Sequence, residues 1–261
     1  MPITKPYYRL WRPLKGYGEP FSYMLESSCN DNVNKLSTDY LSDDRFVPKE
    51  EITSLITATH LIIRDLYEIY NYIEPCENNL STYSHRIYEL LLRTATEFEA
   101  NCKGILLANG YNKRSEDLKS NDYFELASVA KLPDYIVEFD RWKSNYFFRP
   151  FLDWNTTTYK QLSWYKGYNK VKHNRFNNFK EANLQNLMNA IAGLLCILHA
   201  QIGEEMSSTC LNQISEIQSK QNIVSTGTFV IHAPNFAESE QYDFIWNKIK
   251  NESEPIKKYW E

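Results

Sequence analysis

Glycine is scarce in this chain of 261 residues, at eight, and no glycine-rich loop of the kind that cradles phosphates occurs. The sequence has neither a G-x-G-x-x-G motif nor a Walker-type lysine loop, which argues against a dinucleotide-binding or P-loop nucleotide fold. Its longest apolar run, residues 190–200, contains His199 and is far too short to span a bilayer. The N-terminus lacks the apolar segment of a secretory signal, so we expect a cytoplasmic protein without a membrane anchor.

Paired cysteines and metal-ligand spacings are also missing. The five cysteines are scattered and none forms a C-x-x-C pair, which predicts reduced thiols. No two histidines, and no histidine with a cysteine, have the spacing of zinc ligands, so we expect neither a metal nor a cofactor. A formal net charge of -4 argues against indiscriminate nucleic-acid binding, which needs a broadly basic surface.

Apolar residues recur at helical spacing in four long segments, residues 48–73, 82–108, 162–178 and 179–205. The pattern predicts a mainly α fold, a bundle of four long helices with short irregular or β additions. The smaller elements that we predict are one helix within 115–132, two strands within 135–142 and 146–154, a strand at 223–232 and a helix at 242–250. We expect an irregular lead-in over residues 1–47, the bundle over 48–205 and a C-terminal appendage over 206–261.

One local stretch departs from the acidic balance of the chain. Residues 160–180 contain six lysines and arginines and no acidic residue, with aromatic residues interleaved. His173 lies in the middle of the stretch, four residues after Asn169, so a helix would place both on one face. An amide, an imidazole and several cations on one surface suit a phosphate-bearing ligand such as RNA.

Two segments resemble the HEPN superfamily, a group of all-helical prokaryotic proteins that includes metal-independent ribonucleases. The first is Tyr-Asn-Lys-Val-Lys-His at residues 168–173, in which Asn169 and His173 match the polar residue and the histidine of the family signature. The second is the long helix at 86–107, which is similar to the helix that packs beside the signature helix. The signature arginine position holds Tyr168, and Lys166, two turns before His173, lies on the same helical face.

The resemblance implies an endoribonuclease of a toxin or antiphage-defence type, a homodimer that acts on RNA and has an antitoxin or defence protein as partner. His173 would be the acid or base and Asn169 its orienting neighbour. Phosphate and RNA contacts would come from the remaining residues of the site, which are Lys166, Tyr168, Lys170, Lys172, Arg175 and Arg93.

Two other interpretations of the same residues stay open. The chain could be a catalytically inactive helical module that binds RNA, a nucleotide or a protein partner, as Tyr168 in place of arginine would favour. The lysines could also be a solvated helix face, because runs of charge usually lie at the surface. On the helix at 82–108, the spacing predicts ion pairs Glu89–Arg93–Glu97 and Glu99–Lys103, and a structural role for Glu97 and Glu99.

Overall fold

The computed structural model describes residues 3–15, 43–144, 146–203, 218–220, 223–225 and 228–261. The protein is mainly α-helical. Its four long helices are α1 (Lys49–Tyr70), α2 (His85–Ala108), α3 (Ser163–His173) and α4 (Leu184–Ile202). Four strands are β1 (Ile136–Phe139), β2 (Gln218–Lys220), β3 (Ile223–Ser225) and β4 (Phe229–His232). Four-residue helices lie at Ser120–Tyr123, Leu126–Val129, Arg175–Asn178 and Trp246–Ile249.

Helix α4 is the centre of the core. It is buried on nearly every side and packs against both α2 and α3. A helix that is apolar all round belongs in an interior, whereas α1 and α2 each bury one stripe. The N-terminus of α2 is capped by the Ser84 side chain, which accepts from the Ile87 amide. Its C-terminal end is followed by Gly110 at φ 79°, a left-handed position that favours glycine.

The small sheet is antiparallel, with strand order β1-β4-β3-β2. In β1, Val137 lies opposite Ile231 of β4, and both side chains are buried. The C-terminal strands are therefore joined to a strand that lies between α2 and α3 in the chain.

The two ends of the chain pair with each other beside the helices. The Lys257 amide donates to the Pro6 carbonyl, and the Tyr242 amide donates to the Pro13 carbonyl. The Trp11 amide donates to the Ala200 carbonyl of α4, so the first described segment contacts the core helix directly.

Four predicted elements differ from the observed ones. The single helix expected within 115–132 is two four-residue helices, and Lys131 then adopts φ 50°. Residues 146–154 form one bridge, Val137 to Phe148, instead of a strand. The expected strand at 223–232 is the antiparallel pair β3–β4, and the helix expected at 242–250 has only four residues.

Of the helices in the described part of the chain, none has the length and apolar character needed to cross a membrane.

Candidate functional site

The start of helix α3 is held by Asp153, an acidic residue of the short 3-10 helix Leu152–Trp154. Both the backbone N–H and the Oγ–H of Ser163 donate to Asp153 Oδ2, at 2.8 and 2.7 Å. Lys160 Nζ donates to the other oxygen, Oδ1, at 2.5 Å. Burial acts to raise the pKa of Asp153, but the hydrogen bonds from Lys160 and Ser163 outweigh it and lower that pKa. The carboxylate therefore stays ionised and fixes the start of the helix.

One side of α3 is fully packed. Its buried residues are Trp164, Tyr165, Gly167, Tyr168 and Val171. A Cβ at Gly167 would lie 2.3 Å from Nδ2 of Asn186 in α4, so the two helices approach closely only because position 167 carries no side chain. This packing fixes which side of α3 faces solvent.

The opposite side, here called the exposed face of α3, consists of Lys166, Asn169, Lys170 and His173. These residues follow i, i+3, i+4, i+7 spacing; three are exposed and Asn169 is half-buried. The helix ends at His173, and Asn174 breaks it by capping the next short helix through a bond from the Asn177 amide. Within the described residues, the imidazole of His173 has no hydrogen-bond or ion-pair partner.

The predicted cations have different surroundings. Lys170 Nζ is paired with Glu181 Oε1 at 2.6 Å, whereas Lys166 has no ion-pair partner among the described residues. The Arg175 guanidinium lies 5.5 Å from the ring centre of Tyr88. Of these three side chains, only Lys170 is in an ion pair among the described residues, so Lys166 and Arg175 leave their charges available to a ligand.

Arg93 lies on the side of α2 that faces α1. Its Nη2 is 2.6 Å from Asp65 Oδ2 of α1, and with Arg86 and Glu89 it lines a shallow depression between α1 and α2. The structure joins Arg93 to α1 and shows no contact between it and the exposed face of α3. The intrahelical pairs predicted for Arg93, with Glu89 and Glu97, are not formed.

Tyr168 lies in the core, with its hydroxyl at the edge of a polar cluster. Lys172 Nζ donates to Tyr168 Oη at 2.8 Å and lies 4.0 Å from Glu99 Oε1 of α2. Tyr165 Oη donates to that same Glu99 oxygen at 2.7 Å. The predicted Glu99–Lys103 pair is not formed, and Glu99 instead makes contacts between α2 and α3.

The pKa shifts in this cluster follow from burial and from the shared carboxylate. Burial is the main cause that raises the pKa of Tyr165, and its hydrogen bond to Glu99 adds to the effect. The bond to Tyr168, and then the charge of Glu99, raise the pKa of Lys172. Lys172 is therefore protonated at neutral pH, and the negative charge of Glu99 partly offsets its positive charge.

Two of the other histidines have side-chain hydrogen-bond partners, and a third, His85, packs against the Phe179 ring. His199 Nδ1 is 3.0 Å from Tyr135 Oη, and burial lowers the pKa of His199 to about 4, so this ring is neutral at pH 7. His232 Nε2 is 2.5 Å from Glu138 Oε1 on the neighbouring strand. In the ranges that the structure describes, no three His, Cys, Asp or Glu side chains gather where they could hold a metal ion.

A group of surface rings was not predicted from the sequence. We call it the aromatic cluster, and its members are Tyr83, His85, Tyr88 and Phe179. Tyr83 precedes α2 and is 51% exposed. Beside the cluster in the chain, Phe176 is 94% exposed. The interleaving of aromatic and basic residues in 160–180 was the sequence signal that could have indicated Phe176 and Phe179. Helical spacing does not predict whether a ring on such a short helical segment is exposed.

Comparison with known proteins adds no relative: no protein-family model matches the chain, and no curated protein or solved structure proved similar to it.

Proposed function

We propose that this protein binds RNA through the exposed face of α3 and cleaves it without a metal ion. The observation that carries the proposal is His173, an exposed imidazole without a hydrogen-bond or ion-pair partner among the described residues, at the end of a helix whose same face presents Asn169 and Lys166. Of the six cations in residues 160–180, three have no ion pair among the described residues, namely Lys166, Arg175 and Lys180, and these attract a polyanion to this segment in a chain of net charge -4.

The chemistry that these groups support uses the nucleophile that RNA itself carries. The 2′-oxygen forms a bond to the adjacent phosphorus as its proton passes to a base, and the bond from phosphorus to the 5′-oxygen breaks as that oxygen gains a proton. The products are a 2′,3′-cyclic phosphate and a 5′-hydroxyl. His173 is the proton-transfer group, which supplies about 10²- to 10⁴-fold, Asn169 orients the ring or the phosphate, and Lys166 and Lys172 stabilise the added negative charge.

The architecture that we propose with this function is a HEPN-like arrangement of the four long helices. In it, two copies of the chain place their α3 helices face to face, so that one His173 accepts a proton and the other donates one. The close packing of α2 against α3 and α4 supports this arrangement. A cytoplasmic role in host defence or as a toxin, with an antitoxin or defence protein as partner, belongs to the same proposal.

The test is an incubation with labelled RNA in excess chelator, comparing wild type with His173→Ala. We expect at least 100-fold slower cleavage by the variant, because it lacks the proton-transfer group, and RNA affinity within about threefold of wild type. His60→Ala is the matched control, a half-buried histidine on α1 that should cleave as wild type does. Equal cleavage by wild type and His173→Ala would refute the assignment of His173.

A second candidate function is RNA binding without cleavage. It is favoured by the buried Tyr168 at the signature arginine position and by the engagement of Lys170 with Glu181 and of Lys172 with Tyr168. Under this alternative, wild type binds RNA and leaves it intact, and Lys166→Ala weakens binding while His173→Ala has no turnover to lose.

A further inference from the structure

The aromatic cluster is built from two segments that hydrogen bonds hold together. The Leu184 amide donates to the Thr82 carbonyl at 2.9 Å, which joins the start of α4 to the loop before α2. From the α4 side, Phe179 projects a ring whose centroid is 4.7 Å from that of His85 and 5.5 Å from that of Tyr83. The rings are therefore fixed in one patch, although Tyr83 and His85 remain exposed.

Phe176 differs from the other phenylalanines of the described residues in its exposure. At 94%, its ring is almost entirely in water, on a four-residue helix between α3 and α4. Exposure of a whole phenyl ring forfeits the burial free energy of about 2 kcal/mol that such a side chain gains in a core. Both faces of this ring are therefore free to stack on a ligand.

Cations surround these rings and lead toward His173. Arg175 follows His173 by two residues, and its guanidinium lies over the Tyr88 ring of the aromatic cluster. Lys180, which follows Phe179 in the chain, is exposed. The Lys170–Glu181 pair, at 2.6 Å, ties the exposed face of α3 to the same segment. Arg175 and Lys180, which have no ion pair among the described residues, therefore offer positive charge to a ligand that continues from His173 onto the aromatic cluster.

We propose that the aromatic cluster and Phe176 form a stacking platform for unpaired bases, adjacent to the phosphate-binding face of α3. This inference rests on the proposed function, since it takes RNA as the ligand, and it adds that the bound strand is single-stranded at this point. Exposed rings interleaved with cations are the means by which proteins hold single strands, because every base has a face that can stack. The bases of an A-form duplex are already stacked on each other and cannot reach such rings.

The charge of the segment favours this ligand over a protein. A protein partner for Phe176 would have to tolerate Arg175 and Lys180, which lie within four residues of it in the chain, whereas a polyanion is attracted by them.

The experiment measures the affinity of the full chain for a labelled 2′-O-methyl RNA strand, which lacks the nucleophile and stays intact. The same strand is tested alone and annealed to its complement, by fluorescence anisotropy at fixed salt. We expect Phe176→Ala and Tyr83→Ala each to weaken single-strand binding about 5- to 150-fold and to leave duplex binding unchanged. Phe176→Trp should bind as tightly as wild type or more tightly.

The controls distinguish a loss of base stacking from a loss of folding stability and from a loss of positive charge. Phe176 is so exposed that Phe176→Ala should retain the wild-type melting temperature. Tyr259→Ala removes a ring at the opposite end of α2, about 36 Å away, where the Tyr259 amide contacts Asn109, and it should bind as wild type does. Lys166→Ala should weaken single-strand and duplex binding alike, because it removes a phosphate contact.

Three outcomes would overturn the inference, and they differ from one another. If Lys166→Ala weakens binding while Phe176→Ala and Tyr83→Ala do not, RNA binding stands and the stacking platform is refuted. If wild type binds neither form of RNA, the proposed function fails together with the platform. If Phe176→Ala lowers the mass measured by light scattering while RNA affinity is unchanged, Phe176 belongs to a contact between copies of this chain.

Discussion

Glu99 joins α2 to α3, and the substitution Glu99→Gln measures what that connection contributes. The carboxylate side chain is 18% exposed, accepts from Tyr165 Oη at 2.7 Å and lies 4.0 Å from Lys172 Nζ. Glutamine can still accept the hydroxyl proton, but it carries no charge. A hydrogen bond to a charged acceptor stabilises by about 1.5–3 kcal/mol and one between neutral groups by about 1, so the loss is about 1 kcal/mol.

The ion pair with Lys172 adds little to this figure. The lysine side chain is 46% exposed, and solvent screening limits such a pair to a few tenths of a kcal/mol. We therefore expect Glu99→Gln to lower the free energy of unfolding by about 1 kcal/mol. In a chain of this length, that is a decrease in melting temperature of about 2–4 °C.

The assay is urea unfolding followed by circular dichroism, with wild type, Glu99→Gln, Tyr165→Phe and the double variant. The two single losses should overlap, since both remove the same hydrogen bond, and the cycle should give a coupling of about 1 kcal/mol. The matched control is Glu97→Gln, on the same helix and without an ion pair among the described residues, which should stay within about 0.5 kcal/mol of wild type. A Glu99→Gln protein as stable as wild type, or a coupling of zero, would refute the role assigned to this carboxylate.

Three further predictions concern the core and its edge. Burial lowers the pKa of His199 from 6.5 to about 4, so the fold keeps this ring neutral and loses stability when the ring must be protonated. The free energy of unfolding should therefore fall by about 3 kcal/mol as the pH is lowered from 6.5 to 4, measured by urea unfolding at each pH. His199→Asn should not show this pH-dependent loss. Gly167→Ala should lower the free energy of unfolding by about 1–3 kcal/mol, measured in urea, because the new methyl group would displace Asn186. Asp122→Ala should cost about 2–4 kcal/mol by the same measurement, since the buried carboxylate accepts from Lys113 and from a backbone amide, and a loss below 0.5 kcal/mol would contradict that.

The long helices could be predicted from the sequence because their signals are local. Apolar spacing, Pro48 before α1 and Gly110 after α2 mark helices within a few residues of their observed ends. Helix α3 ends at His173, five residues before the predicted end at 178, because the side chain of Asn174 caps the following turn. The same spacing predicted a single helix within 115–132, and there it was wrong. The segment instead forms short turns, ending at Lys131 in a left-handed conformation.

Contacts between distant segments could not be predicted in this way. The main partner of β1 is β4, more than 90 residues later in the chain, and no pattern inside either strand specifies that pairing. The same limit applies to the charges on α2. Intrahelical spacing suggested partners for Arg93 and Glu99, but the partners they have lie on α1 and α3, because packing brought other groups closer.

At the candidate site, the spacing of Lys166, Asn169 and His173 was enough to place them on one helical face. The engagement of Lys170 and Lys172 was not predictable, because Glu181 and Glu99 reach them from other elements. The exposure of Phe176 could not be predicted either, because it depends on the turn that the chain makes between α3 and α4.

The most direct test of the central claim uses a DNA strand that contains a single ribonucleotide, incubated with the wild-type protein in excess chelator. If His173 activates the 2′-hydroxyl of RNA, the strand is cut only after the ribonucleotide, and mass spectrometry of the upstream product gives a 2′,3′-cyclic phosphate. His173→Ala should leave the strand intact over the same period. Cutting at the deoxynucleotides, dependence on an added metal ion, or an unchanged rate with His173→Ala would contradict the account.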